Sequence, residues 1–360
     1  MIINNREISA ANAPYIVAEL SANHGGSLEN ALKAIDAAKN AGADAVKIQT
    51  YEPDTLTIDC DKEDFVIRGG LWSGQTLYDL YKQAHTPFAW HKALFDRARN
   101  IGVTLFSAPF DASCVDLLES LNAPAYKIAS FELVDCELIE AAARTEKPLI
   151  ISTGLASEEE IGEALEIARS NGAKSIMLLH CVSEYPAPIE TANTRSVAYL
   201  QKRFKVEVGL SDHTLGVIAA VTSVALGAVL IEKHFAPHSA LITPDSAFSV
   251  DSQGLSELKQ TVCEAWKALG VEGLKRAESE IKNRVFRRSI YAVKNIKKGE
   301  PFTRENTRVI RPGYGLKPKE LRRVLHSFAS RDIERGEPIL DETVADETVA
   351  RETIANKAND

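Results

Sequence analysis

The stretch YIVAELSANHGGSLENALKAIDAAKNAGADAVKIQ, residues 15–49, holds one complete structural unit. Its two ends, YIVAEL and DAVKIQ, are short runs of apolar and β-branched side chains that suit buried strands. Between them Leu28, Ala31, Leu32, Ile35 and Ala38 recur at helical spacing, bounded by glycines on both sides. Strand, helix and strand in this order make a βαβ unit. The pattern then repeats, with further strand candidates at VTLFSA (103–108), AYKIAS (125–130), PLIIST (148–153), SIMLLHC (175–181), VEVGLS (206–211) and AVLIEKH (228–234). Eight parallel strands alternating with helices between Tyr15 and Phe235 give the arithmetic of a (β/α)8 TIM barrel. A doubly wound open sheet is the alternative, but it calls for a Gly-rich phosphate turn after the first strand, which SANHGGS matches poorly.

Two regions depart from the repeat. Between the second and third strands lies an insertion carrying GGLWSGQTLYDLYKQAHTPFAWHKALF, with Trp72, Tyr78, Tyr81 and Trp90. One reading makes Leu77, Leu80, Tyr81 and Ala84 a buried helix stripe; the other places Trp72 and its Gly-rich flanks over the barrel mouth. After Leu269 the composition shifts to an exposed, charged connector, GLKRAESEIKNRVFRRS, followed by short segments punctuated at GEP, RPGYG and KPK. We divide the chain into a barrel domain (1–280), a linker (281–288), a small C-terminal domain (289–342) and a flexible tail (343–360) whose DETVADETVARET repeat lacks large apolar side chains.

Composition narrows the function. With 360 residues, 45% hydrophobic and 26% charged, the chain reads as a soluble globular protein. No run approaches the ~20 apolar residues of a membrane helix, and the start lacks a signal-peptide layout, so a cytoplasmic location is expected. A formal charge of -8 argues against nucleic acid as partner. Five scattered cysteines form no C-x-x-C pair and are expected to be reduced and mostly buried.

In such barrels chemistry sits at the C-terminal ends of the strands. Here those ends carry Glu19, Asn23 and His24; Lys47 and Gln49; Ser107; Lys127, Ser130 and Glu132; Ser152 and Thr153; His180, Cys181 and Ser183; Ser211, Asp212 and His213; and Glu232, Lys233 and His234. A scaffold has no reason to crowd its rim with ionisable groups, because buried unpaired charge is costly. Two lysines and several serines around one rim suit a phosphorylated or carboxylated ligand. Lys127 could instead form a salt bridge to Glu132 or Glu19, or act as a Schiff-base nucleophile. His213 and His234, on adjacent strands, are candidate ligands of one divalent cation, whereas His180 suits a structural hydrogen bond. Asp245 could ligate the ion or hold a sugar hydroxyl.

The segments AELSANHGG (18–26), VKIQTY (46–51), YKIASFE (126–132), ISTGLAS (151–157), LLHCVSEYP (178–186), GLSDHTLG (209–216), IEKHF (231–235) and PDSAFS (244–249) closely resemble the sialic acid synthase family. YAVKNIKKGEPFT and IRPGYGL resemble the antifreeze-like SAF domain that these synthases carry. The resemblance implies condensation of phosphoenolpyruvate with an N-acylated amino sugar, releasing phosphate by C–O cleavage. It implies that Lys127, Ser130, Ser152, Ser183 and Ser211 hold phosphoenolpyruvate, although Ser183 stands where the family usually has Asn. Manganese or magnesium would sit on His213 and His234, with Glu19, Lys47 and Glu132 in catalysis. Gln49, Tyr185, Asp245 and Arg311 would contact the sugar, Arg311 reaching it from the small domain of a swapped homodimer. The SAF domain alone would also suit a noncatalytic carbohydrate or ice-binding protein, which the polar rim opposes. The insertion resembles the pseudaminic acid branch more than the N-acetylneuraminate or legionaminate branches, while Ile242 and Thr243 stand where that branch usually has a Gly pair.

Overall fold

The computed structural model describes residues 1–237 and 242–346. The chain divides into two compact units, the first spanning Met1–Gly270 and the second beginning at Val271. The first opens with a hairpin of β1 (Ile2–Ile3) and β2 (Arg6–Glu7). Eight strands follow: β3 (Tyr15–Glu19), β4 (Ala45–Thr50), β5 (Thr104–Pro109), β6 (Tyr126–Ile128), β7 (Leu149–Ser152), β8 (Ile176–Cys181), β9 (Glu207–Asp212) and β10 (Leu230–His234). They form a closed parallel barrel, with β10 pairing β3 so that Glu232 lies opposite Val17 and His234 opposite Glu19. Each strand coincides with one of the eight sequence candidates, and closure rules out the open sheet.

Side-chain alternation sorts the strands into two faces. Outward residues such as Ile16, Ala18, Val46, Ile48, Leu178 and Ile231 share one cluster with the helices. The helix Leu28–Asn40 buries Ala31, Ala34, Ile35 and Ala38 there, and Ser27 caps its start by accepting from the Asn30 amide. The helix Glu158–Ser170 starts with a reciprocal capping box between Ser157 and Glu160. Inward residues Tyr15, Val17, Ala45, Phe106, Ile150, Met177, Leu179 and Leu230 form a second cluster with Ile3 and Ile8, which close the barrel floor. Gly209 faces this interior; a Cβ there would lie 2.6 Å from the Leu230 carbonyl oxygen and 2.7 Å from Leu179 Cδ2.

In the insertion, the helix Leu77–Ala84 fully buries only Leu80, so the expected stripe is narrower than its spacing suggests. Trp72 does overhang the mouth: its Nε1 donates to the Pro244 carbonyl at 3.1 Å, and its ring packs against Tyr185 and Phe248.

The second unit pairs β11 (Ser289–Ala292) with β12 (Thr307–Ile310) and β13 (Phe328–Ala329) with β14 (Val344–Ala345). Its own core holds Ile290, Ile296, Phe302, Val324, Ile333 and Ile339. β14 falls inside the stretch expected to be a flexible tail, and the rest of that stretch, 347–360, lies outside the described residues. Of the five cysteines only Cys114 and Cys181 are buried, while Cys136 is exposed at the first turn of a helix, so the expectation of mostly buried thiols is corrected. Among the described residues no helix is long and apolar enough to cross a membrane.

Candidate active site

Two residues beyond the apolar floor, the same inward-facing rows turn polar. Glu19 follows Val17, Lys47 follows Ala45, Lys127 follows Ala125, Ser152 follows Ile150, and Glu232 follows Leu230. All five are buried. Glu232 is the hub: its Oε1 lies 3.2 Å from Lys47 Nζ, 3.6 Å from Lys127 Nζ, and accepts from Ser211 Oγ at 3.2 Å. Lys47 also reaches Glu19 Oε2 at 3.0 Å, and Gln49 donates to both Glu19 Oε1 and Ser21 Oγ at 3.0 Å. The ion-pair partner of Lys127 is therefore Glu232, not the Glu132 or Glu19 that the salt-bridge alternative named. Burial opposes the charge of Glu232, yet Lys127 and Lys47 hold its carboxyl well below the usual range. Burial likewise opposes the Lys47 ammonium, which Glu19 and Glu232 raise above an ordinary lysine. Lys127 goes the other way, lowered by burial and by the neighbouring Lys47 charge. Lys47 has Glu19 as well as Glu232, so Lys127, held by the longer 3.6 Å contact, is the less tightly paired ammonium and the one open to an anionic ligand.

Hydrogen-bonding capacity at the same level is also unused. Ser152 Oγ and Glu232 Oε2 are buried with no partner within the chain. Gly154 donates its amide to Ser130 Oγ at 3.2 Å, and a Cβ on it would collide with Ser183 Oγ and lie 2.7 Å from Ser130 Oγ. A side chain at this position would force both serine hydroxyls to turn away from the end of β7. The result is a cradle of hydroxyls beside an ammonium.

His213 and His234 stand with ring centroids 5.3 Å apart. His213 Nδ1 lies 2.9 Å from the Val182 carbonyl oxygen, which can only accept, so Nδ1 carries the proton and Nε2 the lone pair. His234 Nδ1 lies 3.5 Å from Asp245 Oδ2. Burial opposes ionisation of Asp245, but His234 and Ser21 keep its carboxyl lowered. Among the described residues no group of three or more His, Cys, Asp or Glu side chains is placed to enclose a metal. The pair fits a divalent cation that retains open positions for substrate and water.

Around the imidazoles stands an aromatic wall. Tyr185 packs 4.4 Å from His213, Phe248 4.8 Å from His234, and Trp72 covers Tyr185 from the insertion. Thr243, one of the residues replacing a Gly pair, donates to Asn23 Oδ1 and so ties the Asp245 loop to the first strand's loop, while Ile242 is 91% exposed. Glu132 Oε2 is buried without a partner, and burial pushes this carboxyl up to about 7. Arg311 lies exposed on the second unit.

Several rim candidates face outward. His180 Nε2 bonds the Ala192 carbonyl at 2.8 Å, the structural role expected of it. Ser107 joins Thr50 and His91, Thr153 donates to the Leu179 carbonyl, and Asp212 pairs with Lys233. Sequence reasoning assigned no role to Glu232, Gly154, Cys181 or Phe248. Cys181 Sγ faces the site, 3.8 Å from both His213 Nδ1 and Ser183 Oγ. Counting alternate residues back to the floor would have found Glu232 and Cys181; nothing local marks Gly154 or Phe248.

Against known proteins, the profile of the NeuB family matches residues 34–273, which hold seven of the eight barrel strands. The chain belongs to the NeuB family. A SAF domain profile matches residues 287–345. Over 325 residues the chain is 48% identical to a pseudaminic acid synthase of Campylobacter jejuni, covering 90% of this chain and 95% of that protein. It is 44% identical to a pseudaminic acid synthase of Helicobacter pylori, covering 91% and 96%. The crystal structure of the N-acetylneuraminic acid synthetase of Leptospira borgpetersenii, in complex with citrate, superposes with a TM-score of 0.71 at 31% identity, covering 79% of this chain and 94% of that one. The barrel and the second unit of this chain thus match the two parts of a NeuB-family protein with a SAF domain.

Proposed function

We propose that this NeuB-family chain condenses phosphoenolpyruvate with 2,4-diacetamido-2,4,6-trideoxy-L-altrose to form pseudaminic acid, with water consumed and phosphate released by C–O cleavage. The observation that carries the reading is the meeting of a loosely paired lysine, the unpartnered Ser152 hydroxyl and two adjacent imidazoles at one barrel end. Lys127, Ser130, Ser152, Ser183, Ser211 and the Gly154 cradle would hold the phosphate and carboxylate of phosphoenolpyruvate. His213 and His234 would hold Mn2+ or Mg2+, which supplies charge to polarise the sugar's carbonyl oxygen. C3 of phosphoenolpyruvate attacks the aldehyde carbon, water adds at C2, and the C2–O bond to phosphate breaks. Glu19 would move protons for the aldehyde oxygen and the attacking water, with Lys47, 3.0 Å away, orienting it. Glu132, holding its proton to about pH 7, is suited to donate one.

Gln49, Tyr185 and Asp245 are assigned to the sugar. The wall of Trp72, Tyr185 and Phe248 favours a 6-deoxy, diacetamido sugar. Its methyl and acetamido groups gain about 25 cal/mol per Å2 of apolar area buried, while a 6-hydroxyl would lose its hydrogen bonds there. The names of the relatives at 48% and 44% identity support the same sugar. A swapped homodimer, with Arg311 of one copy serving the other's sugar site, and a cytoplasmic location belong to this reading. Exposed Phe131, Val134, Leu155 and Leu215, on loops leaving the strand ends, and Ile218 at the start of the following helix support a covering partner.

The test is phosphate release from phosphoenolpyruvate with Mn2+, with the altrose derivative and with N-acetylmannosamine in parallel, repeated after EDTA. Release with the altrose alone, abolished by EDTA, is the expected result. Release with N-acetylmannosamine alone would overturn the sugar assignment, and silence with both would overturn the reaction.

A further inference from the structure

We infer that Lys233, whose side chain never enters the barrel, is a positioning residue for His213 in the divalent-cation site; the inference rests on the reading of His213 and His234 as ligands. The β9–β10 ladder ends where Lys233 lies opposite Asp212. His213 is therefore one residue past the last paired position of β9, where strand pairing no longer fixes its backbone. The Lys233 ammonium takes over that task. Its Nζ lies 2.8 Å from Asp212 Oδ2 and also donates to the Thr214 carbonyl oxygen. Asp212 Oδ1 in turn accepts from the Thr214 amide at 2.9 Å and from Thr214 Oγ1 at 2.7 Å. The residues on both sides of His213 are thus tied to each other and to β10, the strand that carries His234. From the remaining side, the His213 carbonyl accepts from the Ala187 amide at 3.0 Å.

Lys233 and Asp212 are almost fully buried. A buried ion pair is a weak source of stability because desolvation offsets its Coulomb attraction, but it is strongly directional. This one spans the two ligand-bearing strands at the level of the imidazoles. Its geometric effect is to fix the separation of the two rings before any cation arrives, the role that second-shell groups play in metal sites.

The test is Mn2+ affinity of the full-length protein by titration calorimetry, alongside phosphoenolpyruvate affinity measured without metal and the thermal midpoint. His213→Ala serves as the control for the ligand assignment. Lys233→Met should weaken Mn2+ binding about 10–100-fold, with phosphoenolpyruvate affinity within about twofold of the parent, since of the groups assigned to that anion only Ser211 lies on β9 and none on β10, the rest being on β6, β7 and the loops after β6, β7 and β8. Asp212→Asn keeps the contacts to Thr214 but removes the ion pair, and should give a smaller loss in the same direction; it decides the matter alone where Lys233→Met does not fold. Mn2+ affinity within about twofold of the parent in the folded variant would overturn the inference. So would an equal loss of Mn2+ and phosphoenolpyruvate binding with a lowered midpoint, which marks a merely structural pair. A parent that binds no Mn2+, or a His213→Ala variant that binds it unchanged, would overturn the ligand assignment and this inference with it.

Discussion

At the floor of the barrel Val17, Ala45, Ala125, Ile150 and Leu230 point inward, while two residues further along the same strands stand Glu19, Lys47, Lys127, Ser152 and Glu232. Backbone, pairing and degree of burial are alike in the two layers. The floor gains from burial in the ordinary way, through apolar area removed from water. The rim removes charges from water, each at a cost of several kcal/mol unless paired, and leaves hydroxyl and carboxylate atoms unpartnered. Stability and ligand affinity are thus assigned to separate layers, and each layer is expected to tolerate change in the other's property.

The comparison is broken or sharpened by substitutions that should affect one layer's property only. Lys127→Met is expected to lower turnover about 1000-fold, the size of loss seen when a strong electrostatic contact to the reacting group is removed, while its denaturant midpoint stays near the parent's. A rim variant that unfolded instead would erase the distinction between layers. Phe106→Ala at the floor should cost about 3–5 kcal/mol of stability, with kcat of the folded fraction unchanged, as urea titration and phosphate release would together reveal. Gly154→Ala, which drives a methyl into Ser183 and Ser130, should raise KM for phosphoenolpyruvate about 100-fold with a smaller change in kcat.

A smaller effect concerns pH. Glu132 is lifted by burial from the usual 4.5 to about 7. Turnover that uses its proton should fall as pH rises through 7, and Glu132→Gln should lose that limb. Between pH 4.5 and 7 the folded chain holds a proton that the unfolded chain has released, so stability should decline with rising pH in that window. Urea midpoints at pH 5 and pH 8, compared in the parent and Glu132→Gln, check this; an equal decline in both would assign it to other groups. The smallest effect is expected of Trp72→Phe, which keeps an aromatic ring but loses the bond to Pro244: about a fivefold rise in sugar KM, near 1 kcal/mol. A change in phosphoenolpyruvate KM instead would place Trp72 on the wrong substrate.

The eight strands were legible because a parallel barrel strand is buried on both faces, so VTLFSA or SIMLLHC reads as an apolar run between helical patterns. The rim's polarity was legible for the same reason: Glu19 and Lys47 interrupt such runs. Which of the polar residues face inward was not, since Asp212 and Lys233 look as reactive as Ser211 and Glu232 until the strands are phased against the floor. The partner of Lys127 was hidden because the pairing with Glu232 crosses the barrel, a relation that depends on register and closure rather than on spacing. Trp72 could be placed over the mouth by its Gly-rich flanks, but its latch on Pro244 joins loops far apart in the chain.

The seam between β3 and β10 also bears on how the molecule comes into being. Glu19 leaves the ribosome long before His234 and Glu232, and N-terminal segments fold as they emerge. Until the last strand docks, Lys47 and Lys127 lack the carboxylate they share, and closing so long a chain segment is the slow, entropically costly step of assembly. The event that completes the hydrogen-bonded ring is therefore the one that gives the interior lysines their shared carboxylate and sets His234 opposite Glu19. Contacts between neighbouring strands, such as Lys47 with Glu19 and Gly154 with Ser130, can form earlier, but the centre is complete only when the barrel shuts.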